Sequence, residues 1–110
     1  MNKVTTILLT IFMIFSYSQT SWSYTVNGVG ANSCGSILEE ENTGKRGILY
    51  WQRIGWMNGY LTGRNFEVNG TAGKRSDYKA IYFAVIKYCR DNPLKLYEES
   101  LNHVYDYQLK

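Results

Sequence analysis

The sequence predicts an all-α protein: a small four-helix domain with one disulfide, behind a cleaved signal peptide. Three observations predict it. Four segments repeat apolar residues at the helical period, and no run sustains the alternation of a half-buried strand. The chain has only two cysteines, Cys34 and Cys89, and both follow the leader. With 110 residues there is room for one domain, and charged residues at 19% with aromatics at 15% are not the composition of a disordered chain.

The leader comes first. Lys3 is the only charge among residues 1–23, followed by an apolar stretch from Val4 to Phe15 and a polar run from Ser16 to Ser23. A basic start, a short apolar centre and small residues at the exit describe a secretory signal peptide. Ser21 and Ser23 flank Trp22, which places cleavage after Ser23. Twelve helical residues would reach about 18 Å, short of the roughly 30 Å hydrocarbon core, so no stable membrane span is expected. The expected division is therefore a signal peptide, 1–23, and a helical domain, 24–110. Removing 23 residues, Lys3 among them, leaves 87 residues with 11 basic and 9 acidic side chains.

So small a domain needs a staple. Two cysteines in a small exported chain read as a disulfide, Cys34–Cys89, and the Cys-x-x-Cys spacing of redox pairs is absent. Export plus oxidation points to the periplasm or the extracellular space.

Tyr24 to Ser33 reads as an irregular Gly/Asn-rich arm. Ser33 is placed to cap a short helix from Cys34 to about Glu41, whose last turn carries Glu39, Glu40 and Glu41. Anions are disfavoured at that end of the helix dipole, so the helix should be short and its end solvated. Asn42 to Gly47 is a turn.

Ile48 to Phe66 is the longest helical candidate, with Tyr50, Ile54, Met57 and Leu61 on one face. Gly55, Gly59 and Gly63 line another. Each glycine costs a helix about 1 kcal/mol relative to alanine, so three in a row imply close approach of another backbone. Packing inside the fold is the leading expectation; a dimer or partner groove is the other. Gln52, Arg53, Asn58 and Arg64 argue against the bilayer use of this spacing.

Glu67 to Arg75 reads as a loop, its Asn69-Gly70-Thr71 as a turn. Ser76 is expected to cap a helix from Asp77 to about Asp91, apolar on most sides and therefore central. Asn92-Pro93 then reads as N-cap and first residue of the last helix. Leu94, Leu96, Tyr97, Leu101, Val104 and Tyr105 should be its buried stripe, with His103 on the wet face one turn after Glu99.

The chemistry-bearing residues are few. One His and two Cys are too few for a zinc site, and no carboxylates are paired as a glycosidase requires. No enzyme activity, cofactor or metal is expected. Lys45, Arg46, Arg53, Arg64, Lys74, Arg75 and Lys79 could form a basic patch. Export directs such a patch to anionic lipid, glycan or an acidic partner rather than nucleic acid. Trp51, Trp56 and the many tyrosines exceed what a small core needs, and such residues are enriched at interface hot spots. A surface aromatic patch at Trp51, with Gly55, Gly59 and Gly63, is the expected partner-binding site.

Three segments together resemble the HdeA-like group of small exported bacterial helical proteins: Ser33-Cys34-Gly35, Gly59-Tyr60-Leu61-Thr62-Gly63, and Tyr88-Cys89 followed by Asn92-Pro93-Leu94. The group includes the acid-stress chaperones HdeA and HdeB, and the Rap/Tai-type immunity proteins that neutralise type VI secretion effectors look similar. The two cysteines fit the HdeA disulfide positions, whereas the Gly-Tyr-Leu-x-Gly segment is closer to the immunity branch. The resemblance implies a non-enzymatic periplasmic binding protein whose partner is a toxin, a hydrolase or an unfolded client, with a homodimer as a further possibility.

Overall fold

The computed structural model describes residues 2–16 and 23–110. Among them every regular element is helical: α1 (Lys3–Ser16), a 3-10 turn (Gly28–Ala31), α2 (Cys34–Glu41), α3 (Ile48–Val68), α4 (Tyr78–Asp91) and α5 (Tyr97–Tyr107). The N-terminal apolar stretch, Val4–Phe15, lies within α1 and adds a fifth α-helix to the four expected after it. The expected cleavage segment, Ser21-Trp22-Ser23, lies outside the described residues except for Ser23. No described helix is long and apolar enough to cross a membrane.

The Cys34–Cys89 disulfide joins the first turn of α2 to the last turn of α4, with the Cα atoms 4.9 Å apart. Both cysteines are fully buried, as is Ser100 of α5. The Ser100 hydroxyl lies 3.0 Å from Cys34 Sγ and 3.4 Å from Cys89 Sγ. Three helices thus meet at one sulfur pair. Around it the core is built from Ile37, from Ile54, Met57 and Leu61, from Ile81, Val85 and Ile86, and from Tyr97, Leu101 and Val104.

Ser33 caps α2 as expected, its side chain accepting from the Ser36 N–H. The α4–α5 link differs from expectation. Asn92 closes α4 instead of opening α5: its N–H donates to the Cys89 carbonyl and its side-chain amide to the Tyr88 carbonyl. The Pro93 and Lys95 carbonyls then accept from the N–H groups of Gly35 and Cys34, at 2.9 and 2.8 Å. A helix starting at Pro93 would turn those carbonyls along its own axis and leave the first turn of α2 with unmet donors. The helix therefore waits until Tyr97, and Leu94 is 95% exposed rather than part of the buried stripe. Glu99 reaches back to accept from the Leu96 N–H at 2.8 Å, half of a capping box.

Two further boundaries shift. Asp77, not Ser76, caps α4, accepting from the Ala80 N–H at 2.8 Å; a carboxylate there also complements the helix dipole. Asn69 ends α3 in the left-handed conformation, with φ of 52°, and the chain turns through Asn69-Gly70-Thr71.

The arm is more ordered than its composition predicts. Trp56 of α3 lies against it, donating its indole N–H to the Asn27 carbonyl at 3.0 Å, with Gly30 beneath the ring. A Cβ at Gly30 would overlap that ring, so glycine is required by the close approach. Tyr60 stacks on the same indole at 5.5 Å between centroids.

The disulfide closes a loop whose ends are 55 residues apart, and the chain-entropy relation assigns such a closure roughly 4 kcal/mol. Urea unfolding of the Cys34→Ser/Cys89→Ser variant should show a stability loss of that order; a loss under 1 kcal/mol would mean that packing alone holds the three helices.

Candidate partner-binding site

The site begins with how α3 is divided. Tyr50, Arg53, Ile54, Met57 and Leu61 are buried, and these positions form one stripe at the helical period. Arg53, only 2% exposed, is a cation on an otherwise apolar face. It is held from two other helices. Its guanidinium bonds Glu40 and, at 3.1 Å, Glu41; its Nε donates to the Tyr82 hydroxyl at 3.0 Å. The Tyr82 hydroxyl donates in turn to Glu41 at 2.6 Å, and the Tyr97 hydroxyl to the Arg53 carbonyl at 2.9 Å.

The carboxylates at the end of α2 are therefore not simply solvated, as their position in the sequence suggests. Arg53 draws Glu40 and Glu41 inward and offsets their poor placement on the α2 dipole; Glu39 stays exposed. Burial opposes the Arg53 charge, but the hydrogen bonds to Tyr82, Glu40 and Glu41 outweigh it and raise its pKa. Burial also pushes the Tyr82 and Tyr97 hydroxyls well above the ordinary tyrosine range, Tyr82 with added help from Glu41.

Arg64 likewise leaves the expected basic patch. It donates to Tyr60 and to Asn102 of α5, pairs with Asp106 at 3.2 Å, and lies 4.4 Å above the Tyr105 ring. His103 packs between aromatic rings, with centroids 4.2 Å from Tyr88 and 4.9 Å from Tyr107. Among the described residues no cluster of three or more His, Cys, Asp or Glu is placed to hold a metal ion.

The opposite face of α3 is bare. A Cβ built on Gly55, Gly59 or Gly63 would meet nothing within 4 Å. The leading expectation for these glycines, close packing inside the fold, is thereby corrected: the arm reaches α3 at Trp56, beside the stripe, and among the described residues no element comes within 4 Å of a Cβ built on it. Trp51, 55% exposed, stands at one end of this open face and Phe66, 90% exposed, at the other. The expected set of Trp51 and the three glycines thus lies along one exposed surface, and Phe66 joins it. Phe66 was readable as a neighbour of this set, since it falls three residues after Gly63 and so on the same side of a helix.

Trp51 also borders a cleft of about 740 Å³ between the start of α3 and α4. Its wall on α4 is made by Tyr78, Lys79, Tyr82, Phe83, Ile86 and Arg90, an arc that borders the core face and shares buried Tyr82 and Ile86 with it. α4 is therefore not the central, covered helix that its apolar content suggests: Phe83 is 64% exposed. Comparison with protein-family models, curated proteins and solved structures finds no match.

The raised tyrosine hydroxyls carry a pH consequence. A tyrosine whose folded pKa lies above its unfolded value of about 10 adds stability that is intact below pH 10 and drains away as the pH rises beyond it. Melting temperature should therefore fall above pH 10, and Tyr97→Phe should flatten that fall. Parallel alkaline slopes for the two proteins in thermal melts would contradict the burial assigned to Tyr97.

Proposed function

We propose that this chain is a non-enzymatic exported protein, of the immunity or inhibitor kind, that occludes a protein partner with the exposed face of α3. The observation that carries the reading is the bare glycine stripe. Three glycines at about 1 kcal/mol each weaken α3 and, among the described residues, admit no close neighbour in return. A partner backbone laid along Gly55, Gly59 and Gly63 gives that expense a use. Trp51 and Phe66 at its ends supply the large rigid contacts that dominate protein interfaces. The disulfide and the signal-like leader support an oxidising compartment such as the periplasm. The resemblance to the Rap/Tai-type immunity proteins favours a toxin or cell-wall hydrolase as the partner.

The triple variant Gly55→Ala/Gly59→Ala/Gly63→Ala separates this reading from mere tolerance of glycine. Stability should rise by up to about 3 kcal/mol, because each helical glycine gives way to alanine in open space. Binding to a toxin or hydrolase encoded beside its gene should weaken at least about tenfold, since each added methyl keeps the partner backbone away. Higher stability with unchanged binding would refute the reading.

A second reading, an acid-stress chaperone of the HdeA type, is favoured by one observation: buried Arg53 is neutralised by Glu40 and Glu41 alone among the carboxylates. Loss of both pairs leaves a buried guanidinium without counter-charge, a strongly destabilising state. Light scattering of an aggregating client at pH 2–3 tests it: protection that disappears with Arg53→Met is expected, and no protection by the unaltered protein eliminates it.

A further inference from the structure

We infer that the α3–α4 cleft beside Trp51 receives an acidic-ended, apolar-centred segment of the partner protein. The inference rests on the occlusion reading and deepens it. Lys79, Phe83, Ile86 and Arg90 fall at intervals of four, three and four, which sets them in one line along α4. The line runs cation, aromatic, aliphatic, cation. Among the described residues neither Lys79 nor Arg90 forms an ion pair. Across the cleft, Arg46 lies 4.1 Å above the Tyr50 ring with Trp51 next to it, and is paired with Glu41 at 4.0 Å, so the two unpaired cations of the lining are Lys79 and Arg90. Glu41 is the one carboxylate in the lining, and it is engaged by Arg53, Tyr82 and Arg46.

The spacing selects the ligand class. Lys79 and Arg90 are separated by eleven residues of helix, about 16 Å of rise. One compact anion, such as a phosphate or a lipid headgroup, cannot satisfy both ends. The middle of the line is Phe83, 64% exposed, over buried Ile86, which offers an apolar seat rather than a track for successive phosphates. A peptide of about five extended residues spans the same distance, its carboxylates at the ends and an apolar side chain at the centre. Charge complementarity of this kind speeds encounter and fixes register. The other large hollow, about 760 Å³ beside Lys74, Arg75 and Lys110, has no aromatic lining and offers no such register.

The test uses the native disulfide-bonded protein, isotope-labelled for NMR, and three synthetic ten-residue peptides. The peptides share one apolar centre and differ only in flanking residues, Glu, Gln or Lys. The Glu peptide should shift the Lys79, Phe83 and Arg90 amides and the Trp51 indole, and bind at least about tenfold more tightly than the Lys peptide. Lys79→Gln/Arg90→Gln should abolish that preference, and Phe83→Ala should weaken the Glu peptide while preserving its charge preference. All three positions are exposed, so the folded spectrum of each variant serves as its control. Equal binding of the three peptides, shifts on another surface, no binding, or binding of anionic lipid vesicles at this line in place of the peptide would overturn the inference. A cognate toxin or hydrolase lost by the triple glycine variant but kept by Lys79→Gln/Arg90→Gln leaves occlusion standing and removes the acidic segment. One kept by both removes the occlusion reading itself.

Discussion

Cys34 and Cys89 bring the start of α2 against the end of α4, and nearly everything else is arranged around that meeting point. Ser100 brings α5 to the same sulfur pair. The Pro93–Lys95 link, held beside it, lends its carbonyls to the free donors of α2. α2 has only eight residues, too few to persist as an isolated helix in water, so its fixation here is what makes Glu40 and Glu41 available as counter-charges. Those carboxylates in turn permit a guanidinium in the middle of α3. The order of dependence is sulfur, then α2, then Arg53, then the orientation of α3 and of the face it leaves open.

The buried ion network and the glycine stripe are two sides of one helix with opposite consequences. On the inner side, Arg53, Tyr82 and Tyr97 bind α3 to its neighbours through directional bonds that fix its rotation about its own axis. Fixed rotation decides which residues face water, and it places Gly55, Gly59 and Gly63 there. A purely apolar inner side could tolerate small rotations; one constrained by a buried cation cannot do so without leaving a charge unpaired.

Much of this was legible in the residues. The four helices from α2 to α5, the Cys34–Cys89 pair and the Ser33 cap follow from periodicity, cysteine count and capping chemistry, all of which are local or nearly so. Trp51 and the glycines were legible as a set on one helix, but not the side of α3 on which the fold would pack. Asn92-Pro93 misled because its capping preference is local, while the demand of α2 for acceptors comes from far along the chain. Arg53 could have been noticed: it shares a stripe with Tyr50, Ile54, Met57 and Leu61, where a cation implies a buried partner. Its partners, twelve and thirteen residues earlier, were seen only as a crowded helix end.

The contrast between Trp51 and Trp56 has an optical consequence. Trp56 is clasped by Gly30, Tyr60 and the Asn27 carbonyl, while Trp51 projects beside the cleft. Tryptophan emission follows local polarity, so in a form that lacks Trp22 the solvent-facing indole supplies the long-wavelength part of the spectrum and the clasped one the short-wavelength part. A ligand settling beside Trp51 and a peeling away of the arm would thus move the spectrum of that form in opposite directions, and its native fluorescence tells the two events apart.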